Sequence, residues 1–314
     1  MVTRRKFMGA MMGGAIAGLA LGEARAFGQT VHGAVDAPAD NPANAAGIEQ
    51  QLAQIEARSG GRLGVAILDT ASGFRASLRA DERFPMCSTF KLLLASAVLT
   101  RKDHGEEDLE RRIVFSAADL VPNSPATRQH TRELTGGAGM SVAHLCKAAI
   151  TLSDNTAANL LLTSIGGPAA VTAFARSLGD SVTRLDRNEP TLNEAIPGDV
   201  RDTTTPSAML GNLRELLLGE RLTAASRAQL AAWLVANETG GERIRAKLPK
   251  DWRVGDKTGT GERGTANDVA IIWPPGRAPV LVCVYLTGTG GDAARANKAI
   301  ADVGGLLTSA IGQA

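Results

Sequence analysis

Two adjacent nucleophilic side chains followed by a lysine occur in the segment FPMCSTFK, at Cys87, Ser88 and Lys91. If a helix begins at the serine, Lys91 lies one turn further on, and the two side chains share a face of that helix. A lysine that its surroundings hold neutral can take the proton of such a hydroxyl, which then attacks a carbonyl carbon. Cys87 lies four residues before Lys91, so spacing alone does not exclude the thiol as the nucleophile.

Further polar motifs follow along the chain. Residues 153–155 read SDN before an apolar segment of helical period, and residues 257–259 read KTG at the end of a predicted strand. Glu189 and Asn193 lie between these motifs, in the loop LDRNEPTLNEAIPGDVRDTT. Each short pattern is common alone, but S-x-x-K, S-D-N and K-T-G together are the motif set of serine enzymes that react with β-lactams. The combination therefore predicts a serine nucleophile.

With these motifs, the chain resembles the class A serine β-lactamases from about Asn44 to its C-terminus. The segments that carry the resemblance are CSTFK, SDNTAANLLL, RNEPTLNEAIPGDVRDTT and DKTGTG. The resemblance implies hydrolysis of a small-molecule substrate, a β-lactam such as a penicillin or cephalosporin, and thereby antibiotic resistance. It implies neither a cofactor nor a metal, and it implies a monomer.

The resemblance also assigns the catalytic steps. Ser88 would open the β-lactam ring to an acyl-enzyme, with its own N–H and that of Thr260 as the oxyanion hole. Ser153 would pass a proton to the departing lactam nitrogen, and the nearby Lys91 and Lys257 would influence this proton transfer.

Hydrolysis of the acyl-enzyme would depend on a water held by Glu189 and Asn193. Whether Lys91 or Glu189 is the base for acylation is disputed for the family, and the sequence leaves both possibilities open.

Binding of the antibiotic is implied for a second group of residues. Asn155 would hold the substrate's side-chain amide, and Thr258 and Thr260 would offer hydroxyls to its carboxylate. Many relatives place an arginine after the KTG turn, where this chain has Ala266. Arg243 matches the alternative position, and an arginine can bind a carboxylate through two parallel hydrogen bonds.

Structural support is implied for Asp154 of the SDN motif and for the two ends of the loop 187–202. This segment resembles the family's Ω-loop, a compact surface loop whose ends lie close together. Arg187 and Asp202 would pair across its base and hold Glu189 in place. The Glu189-Pro190 bond is expected to be cis, as it is in the family.

Two departures from the family affect substrate range. Asn123 stands where many members have an aromatic residue at the cleft rim, and the segment 126–140 is longer than usual. Thr239 and Thr260 leave carbapenem hydrolysis open. However, Cys87 has no partner for the disulfide of some carbapenem-hydrolysing members, so this activity is not predicted.

The hydrophobic pattern indicates strands near both ends of the chain and helices between them. The predicted strands are 62–69, 74–80, Trp252–Thr258, Asp268–Trp273 and Val280–Thr287. The predicted helices are Ala45–Ser59, Phe90–Leu99, Val142–Leu152, Ala157–Ile165, Ala169–Leu178, Pro206–Leu217, Ala224–Leu234 and Ala293–Ile311. Strands from the two ends can pair into one antiparallel sheet flanked by the first and last helices.

We therefore expect an α/β domain with an all-α domain inserted, as in the serine β-lactamase and penicillin-binding-protein fold. The α/β domain would comprise residues 44–86 and 236–314, and the all-α domain residues 87–235 with the Ω-loop. A cleft between two domains is a favoured place for a small-molecule site.

The first 26 residues predict an export signal. TRRKF resembles a twin-arginine motif, an apolar stretch follows, and Ala24-Arg25-Ala26 fits a cleavage site. Residues 27–43 would be a linker, and the mature protein would be periplasmic or secreted, without a membrane anchor. Removing the signal takes away four basic residues and one acidic residue, which changes the formal net charge from +2 to −1. This charge argues against nucleic-acid binding.

The cysteines and histidines do not predict a metal site. The three cysteines are widely spaced, and the four histidines show no ligand spacing. The glycine pattern at 259–264 precedes a predicted strand rather than a helix, which argues against a dinucleotide site.

Two other functions share part of the motif set. A penicillin-binding D,D-peptidase would use Ser88, Lys91 and Lys257 on cell-wall peptides, but it lacks a deacylating glutamate. A β-lactam sensor would become acylated and stay so, and it usually carries a membrane segment or a signalling domain. Glu189 and Asn193 therefore favour the β-lactamase.

Overall fold

The computed structural model describes residues 42–133 and 139–311. Its helices are α1 Pro42–Ser59, α2 Phe90–Asp103, α3 Pro125–Glu133, α4 Val142–Thr151, α5 Asn155–Ile165, α6 Pro168–Ser177, α7 Pro206–Leu218, α8 Ala224–Val235 and α9 Ala293–Ile311. Its strands are β1 Arg62–Asp69, β2 Arg75–Leu78, β3 Phe84–Pro85, β4 Arg112–Ile113, β5 Met140–Ser141, β6 Thr203–Thr204, β7 Arg253–Gly261, β8 Thr265–Trp273 and β9 Val280–Thr287.

The predicted export signal and most of the predicted linker lie outside the described residues. Helix α1 begins at Pro42, so the last two residues of the predicted linker belong to the helix. Proline is well suited to the first turn of a helix, because the N–H that it lacks would have no partner there.

One antiparallel sheet joins the two ends of the chain. Its strand order is β2-β1-β9-β8-β7, and β1 pairs with β9 from Arg62 opposite Thr287 to Asp69 opposite Val280. Helices α1 and α9 pack together beside this sheet. The predicted fold class is confirmed, with strands from both ends in one sheet and helices in the middle of the chain.

The two faces of the sheet are covered by different hydrophobic clusters. Leu63, Val65 and Ile67 of β1 belong to the cluster that includes α1 and α9. Ala66 and Leu68 point to the other face and join the cluster of the middle helices. Burying one such Leu, Val or Ile side chain stabilises the fold by about 1.5–3 kcal/mol. Because both faces are covered, β1 is apolar at almost every position and does not show polar alternation.

Helix α2 is the most deeply buried helix of the site, with every residue from Phe90 to Thr100 buried. Lys91, in the first turn of this helix, is therefore completely shielded from solvent. Helix α5 starts at the SDN motif because the Asp154 carboxylate accepts a hydrogen bond from the Ala157 N–H, which caps the helix. It ends at Gly166, whose φ of 103° is a conformation that glycine adopts without strain.

Within residues 42–133 and 139–311, no single helix is both long and apolar enough to cross a bilayer. One bent pair, Asn155–Ile165 with Pro168–Ser177, meets the length and composition test.

Candidate active site

The two candidate nucleophiles occupy different environments. Residues Cys87–Thr89 form a 3₁₀ turn that leads directly into α2, so Ser88 lies one turn before the helix proper. The Lys91 Nζ donates to the Ser88 Oγ at 2.9 Å. Cys87 is fully buried, and its Sγ would lie 2.6 Å from a Cβ atom placed on Gly261. Burial raises the pKa of the Cys87 thiol, and the Glu189 charge raises it further, so the reactive thiolate is disfavoured.

Lys91 lies at the centre of a ring of acceptors. Its Nζ donates to the Ser153 carbonyl at 2.8 Å and to the Asn155 Oδ1 at 2.6 Å, besides the Ser88 hydroxyl. The Glu189 Oε1 is 3.0 Å away. Complete burial lowers the pKa of Lys91, and Glu189 opposes this shift. A lysine with a lowered pKa can supply a neutral amine as a proton acceptor.

The Ser153 hydroxyl lies between two lysines. The Lys257 Nζ donates to its Oγ at 3.1 Å, and the Lys91 Nζ is 3.4 Å from the same atom. Burial lowers the pKa of Lys257 well below its ordinary value, and the nearby charges of Lys91 and Arg243 lower it further. Ser153 has a φ of 55°, a strained conformation for a serine, and such strain often marks a functional position.

Glu189 contacts both the nucleophile and Lys91. The Ser88 Oγ is 3.2 Å from the Glu189 Oε1, and the Asn193 Nδ2 donates to the Oε2 at 2.5 Å. Asn159 holds the backbone, since its Oδ1 accepts from the Glu189 N–H and its Nδ2 donates to the Glu189 carbonyl. The sequence motifs did not single out Asn159. Its position four residues after Asn155, on the same face of α5, was the available signal.

The loop that carries Glu189 is closed at its base by an ion pair. The Arg187 Nε lies 2.5 Å from the Asp202 Oδ2, and the Asp202 Oδ1 accepts from the N–H groups of Asp186 and Arg187. A second bond joins the Arg187 Nη1 to the Glu194 Oε2 at 2.6 Å. The Glu189-Pro190 peptide bond is cis, as the family resemblance implies.

Arg243 lies beneath the end of β7 and is only 8% exposed. Its Nη1 donates to the carbonyl groups of Gly259 and Asn267, and its Nη2 donates to the Thr260 Oγ1 at 2.7 Å. Its Nε donates to the Oδ1 of Asn297 on α9. Sequence reasoning missed these two asparagines, because they approach Arg243 only through the pairing of β7 with β8 and the packing of α9.

The amide of Asn155 is bonded at both ends. Its Oδ1 accepts from Lys91, and its Nδ2 donates to the Pro122 carbonyl at 2.9 Å. Asn123, at the predicted cleft rim, donates from its Nδ2 to the Ser153 carbonyl. Asp154 is fully buried, and its carboxylate accepts from the N–H and the hydroxyl of Thr127. The SDN motif therefore combines a helix cap with two groups that face the site.

Thr258, which follows Lys257 in β7, forms a hydroxyl pair with Thr239. Their Oγ1 atoms are 2.5 Å apart, and Thr239 is in turn bonded to Asn237.

The structure brings five of the predicted site residues into one connected network of hydrogen bonds: Ser88, Lys91, Ser153, Glu189 and Lys257. Among the described residues, no group of three or more His, Cys, Asp or Glu side chains could hold a metal ion.

Comparisons with known proteins agree with this geometry. Residues 47–311 match the family described as the beta-lactamase enzyme family. The chain is 49% identical over 264 residues to beta-lactamase OXY-2 of Klebsiella oxytoca, which covers 84% of this chain and 89% of that protein. It is 51% identical over 245 residues to beta-lactamase CTX-M-8 of Citrobacter amalonaticus, covering 78% and 82% of the two chains.

Solved structures give the same result. An ancestral class A β-lactamase termed GNCA matches with a TM-score of 0.81 and 64% identity, over 84% of this chain and 99% of that one. The putative class A β-lactamase PenP from Rhodopseudomonas palustris matches with a TM-score of 0.80 and 59% identity, over 84% and 99%. The chain belongs to the β-lactamase enzyme family and, within it, to the class A serine β-lactamases. The predicted enzyme class, a β-lactam hydrolase, is confirmed.

Proposed function

We propose that Ser88 is the nucleophile of a two-step hydrolysis. Its Oγ attacks the β-lactam carbonyl carbon, the amide C–N bond breaks, and the ring nitrogen takes a proton through the Ser153 hydroxyl. The observation that carries this proposal is the contact of the Ser88 Oγ with both the Lys91 Nζ, at 2.9 Å, and the Glu189 Oε1, at 3.2 Å. Either group can receive the serine proton, so the acylation base stays open between them.

In the second step, Glu189 takes a proton from a water that attacks the acyl carbonyl. The ester bond to Ser88 then breaks, and the serine recovers its proton. The bond from Asn193 to the Glu189 Oε2 supports this role because it fixes the carboxylate while leaving the Oε1 directed at the nucleophile. A D,D-peptidase or a β-lactam sensor has no use for such a carboxylate, so hydrolytic turnover is favoured over both alternatives.

For substrate binding, we propose that the antibiotic carboxylate lies at the end of β7. The Thr260 hydroxyl is held there by Arg243, whose buried guanidinium supplies positive charge. Thr258 lines the same wall. Asn155 is assigned to the substrate's side-chain amide, although both ends of its own amide are engaged before substrate binds.

Labelling of the nucleophile tests the proposal. Wild-type protein and Cys87→Ala should gain the mass of one penicillin at short times and then lose it as turnover proceeds. Ser88→Ala should neither gain mass nor hydrolyse a chromogenic cephalosporin. Labelling at Cys87, or turnover by Ser88→Ala, would overturn the assignment of the nucleophile. A stable adduct on the wild-type protein without turnover would instead indicate a sensor or a peptidase.

We also propose that the protein acts as a monomer, periplasmic or secreted, after export by a twin-arginine signal in residues 1–26. The paired arginines and the Ala24-Arg25-Ala26 site support this assignment. The proposed division into an α/β domain, residues 44–86 and 236–314, and an all-α domain, residues 87–235, is supported by one hydrophobic cluster whose members all lie in the α/β domain, while the other cluster joins the sheet to the middle helices. Hydrolysis of penicillins and cephalosporins outside the cytoplasm would protect the cell that exports the enzyme.

A further inference from the structure

A chain of four hydrogen-bonded side chains runs from the cleft wall into the interior: Thr258, Thr239, Asn237 and Asp256. The Thr258 and Thr239 Oγ1 atoms are 2.5 Å apart, and the Thr239 Oγ1 is 2.8 Å from the Asn237 Oδ1. The Asn237 Nδ2 donates to the Asp256 Oδ2 at 2.6 Å. Except for Thr239, which is exposed in the cleft wall, the members of this chain are at least nine-tenths buried.

The orientation of the Asn237 amide is determined from both ends. The backbone N–H of Thr239 can only donate, and it is 3.1 Å from the atom assigned as Oδ1, so that atom must be the amide oxygen. The Asp256 carboxylate forms an ion pair with Arg245, and as an acceptor it requires the amide NH₂ at the other end. The two requirements agree, which leaves only one arrangement of the amide.

This orientation fixes the direction of every hydroxyl bond in the chain. Because the Asn237 Oδ1 can only accept, Thr239 must donate its one hydroxyl hydrogen to it. The Thr239 oxygen then accepts from Thr258, whose hydrogen is therefore directed away from the cleft. In the free enzyme, the Thr258 oxygen faces the cleft with lone pairs.

The hydroxyl of Thr260, two residues further along β7, has the opposite hydrogen-bonding role. Its Oγ1 accepts a hydrogen bond from the Arg243 Nη2 at 2.7 Å, so its own hydrogen remains available to a ligand. The two hydroxyls of the proposed carboxylate site thus differ, since Thr260 offers a donor to an anion and Thr258 offers an acceptor.

We propose that Thr239 is a positioning residue that limits carboxylate affinity by taking the hydroxyl hydrogen of Thr258. A bound carboxylate can use Thr258 as a donor only after the Thr258–Thr239 bond is broken, so each binding event exchanges one hydrogen bond for another. The proposal rests on the carboxylate site that we propose at the end of β7. It assigns Thr239 an effect on ground-state binding and none on the bond-breaking steps.

The test measures binding without reaction. In the Ser88→Ala background, Thr239→Val removes the competing acceptor while keeping the side-chain shape. It should lower the Kd for benzylpenicillin by about five-fold, equivalent to the typical net value of about 1 kcal/mol for one hydrogen bond. Thr239→Ser keeps the hydroxyl and should match the parent. In the enzyme with Ser88 intact, Thr239→Val should lower KM with little change in kcat.

Two controls separate this effect from a general change of the cleft. The methyl ester of benzylpenicillin carries no negative charge and is a weaker hydrogen-bond acceptor than the carboxylate, so Thr239→Val should lower its Kd by less than that of benzylpenicillin. Adding Thr258→Val to Thr239→Val should abolish the gain in carboxylate affinity.

Weaker or unchanged penicillin binding by Thr239→Val, or an equal gain for the ester, would overturn the proposal. Turnover by Ser88→Ala itself would instead refute the proposed nucleophile, so the two failures are distinguishable.

Discussion

The two carboxylate oxygens of Glu189 have different surroundings. The Oε1 lies within hydrogen-bond distance of both the Ser88 hydroxyl and the Lys91 ammonium, while the Oε2 is occupied by Asn193. Because Asn159 also holds the backbone of this residue on both sides, the carboxylate cannot easily rotate away from the nucleophile. Such a fixed carboxylate is suited to general-base catalysis on a water near the acyl group.

Glu189→Gln should therefore separate the two steps of the reaction. The amide keeps the shape of the side chain but cannot take a proton, so deacylation should slow by about 10²–10⁴-fold, the usual contribution of a general base. Acyl-enzyme should accumulate and be visible as a persistent mass increase of one penicillin. The measurement is intact-protein mass spectrometry over time after mixing.

Glu262→Gln is the matched control for this substitution. Glu262 is an exposed carboxyl at the turn between β7 and β8, and its N–H bonds to the Asn193 carbonyl, close to the same loop. This variant should turn over like the wild type. If Glu189→Gln also released its acyl group at the wild-type rate, activation of water would have to be assigned to another group.

At the level of elements, the position of the Ω-loop depends more on the buried ion pair at its base than on ion pairs at its surface. Asp202 is 1% exposed and accepts from the Arg187 guanidinium and from the N–H groups of Asp186 and Arg187. A separate ion pair of the loop, Arg201 with Asp199, is at the surface, and surface pairs contribute about 0–1 kcal/mol. The positions of the two pairs therefore predict very different effects of substitution.

Asp202→Asn should destabilise the protein by about 3 kcal/mol, because it removes the buried charge partner of the partly buried Arg187 and leaves only the more exposed Glu194. The freed loop should also misplace Glu189, so deacylation should slow more than acylation. Urea denaturation measures the first effect, and pre-steady-state kinetics with a chromogenic cephalosporin measures the second.

Asp199→Asn changes the same residue types in the same loop and should alter neither quantity appreciably. Equal losses in the two variants would mean that the whole loop surface, and not the Arg187–Asp202 pair, holds Glu189.

The sequence predicted long elements better than short ones. Helix α9 was predicted at Ala293–Ile311 and β9 at Val280–Thr287, and both are found there, since each is a long apolar segment, β9 being buried at every position but its last. Strand β7 was predicted to end at Thr258 but extends to Gly261, because pairing with β8 continues to Gly261 opposite Thr265. The two-residue pairing of β3 with β6 was missed, since it depends on contacts about 120 residues apart in the chain.

In the site, too, residues that belong to short sequence motifs were predicted, and residues that approach through the tertiary fold were not. The motif set and the family resemblance predicted the residues of the reactive network, of which Ser88 and Lys91 are held together by one local turn. They did not predict Asn159, Asn237, Asn267 or Asn297. Each of these asparagines orients a functional group from a different element, and only the tertiary fold brings those elements together.

For the whole molecule, the active site imposes a cost in stability. Lys91 lies on the buried helix α2, and Lys257 lies on the edge strand β7, and both side chains are completely buried. Burial lowers the pKa of each, so the charged forms are less stable in the folded protein than in the unfolded chain. Two buried lysines, with Arg243 nearby, therefore lower the stability of the fold, a cost that is typical of sites arranged for function.

Lys257→Met should therefore make the protein more stable at pH 7 by about 1–4 kcal/mol while impairing turnover. The sign of the pH dependence follows from the lowered pKa. Below the folded-state pKa of Lys257 both states are protonated and the full penalty applies. As the pH rises towards the ordinary lysine value of about 10.4, the folded state loses the proton first and wild-type stability increases relative to the variant.

The stability difference between Lys257→Met and wild type should therefore be largest below the folded-state pKa of Lys257 and shrink as the pH rises from there towards ~10. Urea denaturation at intervals of one pH unit measures it, and taking the difference cancels the titration of groups common to both proteins. Lys298→Met is the control, because Lys298 is 68% exposed on α9 and should give a small difference that varies little over this range. A Lys257→Met difference that stayed constant or grew with pH would mean that burial of the Lys257 charge is not the source of the cost.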